Sequence, residues 1–373
     1  MGDDGLDRYG GELTAVRVSD HDRVTDVAGV TVGQHHRIDD DATVADAEIA
    51  GSGWATGSTV ICFPDGATGA VDVRGGGPGT RETDLLDPAN SVLGPTAIVL
   101  TGGSAYGLAV ADGVMTELER DHRGLAMDAH GHVVPIVPAA VVFDLTVGGW
   151  SSRPDADFGV KAVRAAGVEV ATGSVGAGAG ARAGALKGGI GTAGVTFDDG
   201  PAAGITVAAL MVANPVGSVI DPGTGLPWDV ADHGYHRLTT PAAAEIDAYA
   251  ALQAKGTVLN TTIGVVATDA TAGPGMMRRV AIAAQDGIAR AIRPAHLPLD
   301  GDTVFAVATN RVPRPTYHPV PPGLDPELAV ITAVSAAVAS VVQRAIVGAV
   351  LAATPVAGIP TFAQTLPSAR RRA

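Results

Sequence analysis

The chain has 373 residues, a formal net charge of −14, 46% hydrophobic residues and only 17% charged residues. This composition excludes a disordered chain and leaves room for one large domain, or two ordinary ones, with a real core. The acidic balance also excludes nucleic-acid binding, which needs a basic footprint that the short run at Arg370–Arg372 does not supply.

Aromatic residues make up 4% and glycines number 50, so the core is expected to be built from Ala, Val, Leu and Ile with close backbone contacts. The single cysteine, Cys62, sits in the apolar run Thr59–Phe63 and reads as a small buried hydrophobe with no intrachain disulfide open to it. The stretch from Met1 to Leu6 lacks the basic and apolar regions of a signal peptide, and lacks the hydroxyl residue of a myristoylation signal. Leu328 to Ala353 is apolar enough to mimic a membrane span. Gln343 and Arg344 inside it argue for an Ala-rich core helix or helix pair. The expectation is a soluble cytoplasmic protein with no membrane association.

In chain order, residues 1 to about 20 are polar and peripheral. Val24–Gly33 and Thr59–Phe63 read as strands, and Gln34–Gly57 between them has no clear pattern. Val73–Asp84 is a glycine-rich loop with charged edges, of the kind that lets backbone approach something closely. Thr96–Leu100 is a strand that runs into Thr101–Leu108 and then a helix through Glu119, with Ser104 as its N-cap. Val133–Leu145 reads as one or two strands broken at Pro138, and Ala156–Ala166 as a helix. Gly173–Gly191 is nearly pure Gly and Ala. Ile205–Val212 is a strand that ends at the turn signal Asn214–Gly217. A Pro/Gly/His loop over 221–239 precedes a helix over Pro241–Ala254. Ile263–Thr268 is a buried strand rich in β-branched residues. Pro274 opens a helix over Gly275–Ile292 as its N1 residue. Asp302–Ala308 is a further strand, Pro313–Leu324 a proline-rich loop, and the last helical region begins near Pro326. Strands and helices mix along the whole length, so the class is α/β or α+β, without a linker that splits the chain or a repeat period.

Chemistry concentrates at Asn260, Thr261 and Thr262, just ahead of the Ile263 strand. Threonines at a strand mouth are ordinarily plain β-formers. If the chain is cut between Asn260 and Thr261, however, Thr261 carries a hydroxyl and a free α-amine. The amine has a pKa of about 7.7–8.0, suited to a general base near neutral pH. The β-branch stiffens χ1 and helps aim the hydroxyl. A rival nucleophile is Ser104, in a strand-to-helix segment one residue short of a Gly-x-Ser-x-Gly elbow. Gly176–Arg182 resembles a dinucleotide fingerprint but leads into more glycine rather than a helix, and there is no P-loop. Asp128–His132 and His233–His236 offer imidazoles without a second cluster to complete a metal shell. Four polar residues in glycine-rich or strand-end positions remain: Lys187, Asn214, Asp300 and Asp302. Singly each reads as a cap, a turn or a surface charge. With Thr261 they supply an oxyanion donor, a cation and an orienting carboxylate pair.

At this point the sequence resembles the self-processing family of L-aminopeptidase/D-esterases and β-aminopeptidases, which includes the 6-aminohexanoate-oligomer (nylon) hydrolase. The resemblance covers most of the chain, from about Thr25 to Ala308, and six motifs carry it. They are Arg74–Asp84, Thr101–Leu108, Gly176–Gly178 with Lys187–Thr192, Asn214–Gly217, Asn260–Thr262 and Asp300–Asp302. The resemblance implies an αββα four-layer sandwich like that of N-terminal-nucleophile hydrolases, with different strand connectivity. It implies one hydrolase domain over 1–373, autocleaved into an α chain of 1–260 and a β chain of 261–373. By the same resemblance Thr261 matches the nucleophile, Asn214 the oxyanion residue, Lys187 the active-site lysine, and Asp300 and Asp302 the carboxylates of the nylon-hydrolase branch. Gly103, Ser104, Tyr106 and Phe143 fall where substrate binds. Phe143 replaces a tyrosine found in many members, and whether Tyr106 compensates is open. The expected enzyme is an amide hydrolase acting on short substrates with a free amino end, needs no metal or organic cofactor, and assembles as a homo-oligomer, with the Ala-rich C-terminal helix one candidate interface. The alternatives are a Ser104 hydrolase of the elbow type and an unprocessed relative that binds small amines.

Overall fold

The computed structural model describes residues 15–252, 260–313 and 322–370. Two sheets face one another, each covered on its outer side by a pair of helices. The first sheet has six strands in the order Val16–Val18, Gly189–Phe197, Thr206–Asn214, Thr261–Ala270, Thr303–Val312, Thr68–Val73. The second has five, in the order Thr31–Ile38, Ala55–Cys62, Ala97–Thr101, Ala139–Val141, Thr80–Arg81.

Strand alternation builds the layers. In Thr206–Asn214, Leu210 and Val212 turn inward with Ile263, Val265 and Phe305, and meet Ile61, Ile98 and Leu100 of the opposite sheet. Their neighbours Ala209 and Met211 turn outward, onto helices Pro274–Ala291 and Leu328–Leu351. Helices Val110–Arg120 and Ala156–Arg164 cover the second sheet through Val114, Leu118, Phe158 and Ala162. The result is the expected αββα sandwich. Cys62 is buried in the outer layer of the second sheet, and burial pushes its thiol up to about 11.

Helix Leu328–Leu351 is apolar and long enough to cross a membrane, but most of its length is buried against the sheet and helix Pro274–Ala291. That packing makes it a core helix and leaves little of it free to serve as the oligomer interface expected above.

Several local expectations change. Val24–Asp26 is a 3₁₀ turn rather than a strand, because the Asp26 carboxylate collects the N–H groups of His21 and Arg23. The strand starts later, at Thr31, and runs to Ile38. Val16–Val18, within the segment read as peripheral, is an edge strand paired with Val195–Phe197. Ser104 caps no helix: it opens a 3₁₀ turn, Ser104–Ala109, at φ 51°. The strand Gly189–Phe197 was hidden by its glycines, which bring helix backbone onto the sheet: a Cβ at Gly191 would collide with the Ala345 carbonyl. The 221–239 loop contains a short hairpin and the helix Val230–Tyr235, capped by Asp229. The next helix covers only Ala243–Ala250, leaving Pro241 outside it, and 253–254 lie outside the described residues, as does most of the proline-rich loop.

Candidate active site

The central strand Thr261–Ala270 is ten residues long and buried throughout. It runs antiparallel to Thr206–Asn214 and parallel to Thr303–Val312. These two pairings bring distant residues to one end of the sheet. Asn214, the last residue of its strand, stands directly opposite Thr261, the first of its own. Asp302 immediately precedes Thr303, which pairs with Ile263, and Asp300 bridges Asn260. Lys187 lies two residues before Gly189, which pairs with Ala213. All of these side chains are almost completely buried: Lys187 is 0% exposed, Asn214 1%, Asp300 2%, Asp302 2% and Thr261 5%. Buried charge persists only where it is paired or hydrogen-bonded, so each contact matters.

The Thr261 hydroxyl donates to the carbonyl of Asn260, the residue before it. The same carbonyl accepts the Gly301 N–H at 3.0 Å. Asp302 fixes the next peptide: its Oδ1 accepts the Thr262 N–H at 2.7 Å. Its Oδ2 accepts the His296 N–H at 3.1 Å and faces His296 Nδ1 at 2.8 Å. Asp300 Oδ2 accepts the Leu297 N–H at 2.8 Å. The two carboxylates therefore hold a tight turn, 296–302, against the start of the central strand.

On the other side, Asn214 Oδ1 accepts the Arg182 N–H at 2.9 Å and its Nδ2 donates to the Phe143 carbonyl at 3.2 Å. Arg182 pairs with Lys187 in a short hairpin. Lys187 Nζ donates to the carbonyls of Gly178 and Ala181 at 2.8 Å each and of Gly188 at 3.0 Å. Three acceptors match the three N–H bonds of an ammonium. Burial pulls the Lys187 pKa down to about 7; the Asp144 charge opposes this and the Arg182 charge adds to it. Asp144 is itself buried and pushed up to about 6 by that burial, against hydrogen bonds from Thr56 Oγ1 and the Gly103 N–H, both at 2.6 Å.

The residues expected at a substrate site divide. Gly103, left-handed at φ 83°, is tied through Asp144 to the Lys187 shell, and Phe143 is tied through its carbonyl to Asn214. Ser104 donates its backbone N–H to Val142 at 3.0 Å, and its positive φ at a strand-to-helix turn is elbow-like. Among the described residues, no histidine or carboxylate hydrogen-bonds the Ser104 hydroxyl. Tyr106 lies further out, 54% exposed, with the Arg153 guanidinium 3.8 Å from its ring centre. The histidine pairs serve local structure: His132 meets Asp128 at 2.6 Å, and His233 Nε2 meets the Pro227 carbonyl at 2.8 Å.

Sequence reasoning missed Asp144, His296, Gly301 and Arg182. Asp144 carried a usable signal, as a lone acid inside the apolar run Val141–Leu145, where an ionisable group is rarely buried without a role. His296 and Gly301 had none, since their contacts depend on how the turn folds back.

Comparison with known proteins adds the family. The profile of peptidase family S58 matches residues 22–362. An uncharacterized aminopeptidase of Mycobacterium tuberculosis (strain H37Rv) is 56% identical over 350 residues, covering 93% of this chain and 98% of the relative. A 6-aminohexanoate-oligomer endohydrolase of Kocuria sp. is 31% identical over 271 residues, covering 70% of this chain and 71% of the relative. Among solved structures, a Burkholderia sp. β-aminopeptidase superposes with a TM-score of 0.65 at 23% identity, over 96% of this chain and 94% of its own. The L-aminopeptidase D-Ala-esterase/amidase of Ochrobactrum anthropi, described as a variant of the Ntn-hydrolase fold, gives 0.63 at 22% identity, over 93% and 90%. The chain belongs to peptidase family S58 and is a hydrolase of amide or peptide bonds.

Proposed function

We propose that this hydrolase cuts its own chain between Asn260 and Thr261, giving chains of 1–260 and 261–373, and then uses Thr261 as nucleophile and base. The observation that carries this reading is the contact between the Thr261 hydroxyl and the Asn260 carbonyl at the buried end of the central strand. Reactants held in contact need no diffusional encounter, and intramolecular geometry of this kind removes a large part of a barrier. In maturation Thr261 Oγ adds to the Asn260 carbonyl carbon, the C–N bond breaks, and water hydrolyses the resulting ester. In turnover the freed α-amine accepts the hydroxyl proton, Thr261 Oγ attacks a substrate carbonyl, the amine leaves, and water releases the acyl group.

The remaining residues have separate roles. Asn214 Nδ2 is the side-chain donor nearest in register to Thr261 and stabilises the oxyanion during turnover. Asp302 and Asp300 hold the strand start and its flanking turn. Lys187 holds the Gly178–Gly188 backbone around Asn214. The substrate is a short amide with a free amino end, the class suggested by aminopeptidase and 6-aminohexanoate-oligomer hydrolase relatives. Processed units assemble as a homo-oligomer, which light scattering on the purified enzyme measures.

Single variants test the assignment. Thr261→Ala is expected to stay in one piece and lose amide hydrolysis, while Thr261→Ser is cut and active. Ser104→Ala is expected to be cut and to hydrolyse amides. Loss of hydrolysis in Ser104→Ala with retention in Thr261→Ala would transfer the nucleophile to Ser104, where the positive φ favours a second reading.

A further inference from the structure

The glycine-rich loop at Val73–Asp84 interlocks with the Asp300–Gly301–Asp302 turn. The Arg74 and Gly75 N–H groups donate to the Asp302 carbonyl at 2.8 and 3.1 Å, and the Gly77 N–H donates to the Asp300 carbonyl at 2.8 Å. Only glycine fits at 75, because a Cβ there would collide with the Asp300 carbonyl and the Asp302 nitrogen. The two side-chain carboxylates hold the same turn from within, through Leu297, His296 and Thr262. Between the two braced residues, the Gly301 N–H points at the Asn260 carbonyl, 3.0 Å away. Gly301 also has to be glycine: an added Cβ would stand 2.7 Å from Thr261 Oγ1.

The carbonyl of the 260–261 bond thus already holds a backbone donor on a turn that cannot easily move. We propose that the Gly301 amide is the oxyanion donor for self-cleavage and that the glycine-rich loop is the brace that aims it. This rests on the Thr261 reading above. As Thr261 Oγ bonds to the Asn260 carbonyl carbon, the C=O electron pair moves onto oxygen and is held by the Gly301 N–H. The pair returns as the C–N bond breaks, and the Oγ proton ends on the departing Thr261 nitrogen. One water then splits the ester into the Asn260 carboxylate and the Thr261 hydroxyl. A pre-aimed backbone N–H needs no reorganisation, and removing one such donor costs about 10²–10³ in rate.

The direct test replaces the Gly301 amide by an ester, through incorporation of glycolic acid at 301 in the full chain, and follows conversion of intact chain to fragments by mass. The expected result is cleavage at 260–261 about 10²-fold or more slower than wild type. Gly301→Ala is expected to be slow as well. Gly275→Ala, at a position with open space around it, should cleave at the wild-type rate. Fragments at the wild-type rate from the ester chain overturn the proposal. No cut at 260–261 in wild type overturns the Thr261 reading instead. A second measurement does not depend on the altered turn folding. Thr261→Ala creates the one Asn–Ala step in the chain, so ¹³C-carbonyl Asn with ¹⁵N-Ala isolates the Asn260 carbonyl. Its resonance should lie downfield of the same carbonyl in urea, and a resonance at the unfolded position would also overturn the proposal.

Discussion

Asp302→Asn isolates what one carboxylate does at the start of the central strand. Asp302 accepts three times: from the Thr262 N–H at 2.7 Å, the His296 N–H at 3.1 Å and His296 Nδ1 at 2.8 Å. An asparagine keeps the size but replaces one oxygen by a donor. Whichever way the amide turns, its NH₂ faces at least one backbone N–H. With oxygen toward Thr262, His296 can present an unprotonated Nδ1 to the new amide, but the His296 N–H loses its acceptor. With oxygen toward His296, the Thr262 N–H is lost instead, at a site where Asp302 is 2% exposed. A buried donor left unsatisfied costs about 1–3 kcal/mol. Stability of the uncut Thr261→Ala chain in urea should therefore fall by about that amount when Asp302→Asn is added. Displacement of the Thr261 peptide should also lower hydrolytic kcat by about 10²-fold, the penalty typical of a misplacement near 1 Å. Equal urea midpoints and equal kcat would refute the claim that this carboxylate positions the strand. A loss of stability with undiminished kcat would refute its link to the reaction.

Asn214→Asp keeps an acceptor for the Arg182 N–H and removes the Nδ2 donor; steady-state kinetics should show kcat lower by about 10²–10³ with a smaller change in KM. Gly75→Ala drives a methyl into the Asp300 carbonyl and should lower stability by about 1–3 kcal/mol in urea titrations and slow the appearance of fragments. The Lys187 pKa, pulled from 10.5 to about 7, means that the unfolded chain binds the extra proton between those values, so stability should rise with pH across that window. Asp144, raised from 3.8 to about 6, acts oppositely at lower pH: the folded chain holds the extra proton there, and stability falls as pH climbs toward 6. Thermal melts from pH 6 to 10 should show the upper rise in wild type and its absence in Lys187→Met.

The layer order came only from the family resemblance, whereas most core strands could be read in the sequence because they are continuous apolar runs, as in Thr206–Asn214 and Thr261–Ala270. Gly189–Phe197 could not, since its glycines exist for close approach to helix Leu328–Leu351 and erase the pattern. In the site, Asn214, Thr261, Asp300 and Asp302 were visible as polar residues at strand ends, and strand pairing brings them together. Lys187 was visible as a lone cation, but its three carbonyl partners were not, because they come from a Gly/Ala segment without a periodic signal. The Gly301 contact was hidden for a similar reason. A backbone N–H has no signature in a residue type, and only the fold of the 296–302 turn aims it.

The most direct measurement is the intact mass and N-terminal sequence of the purified wild-type protein, taken beside its amide-hydrolase activity. Two chains are expected, the second beginning Thr-Thr-Ile-Gly from Thr261, with activity proportional to the cleaved fraction. A single chain continuous through Thr261 that still hydrolyses amides would contradict the Thr261 assignment.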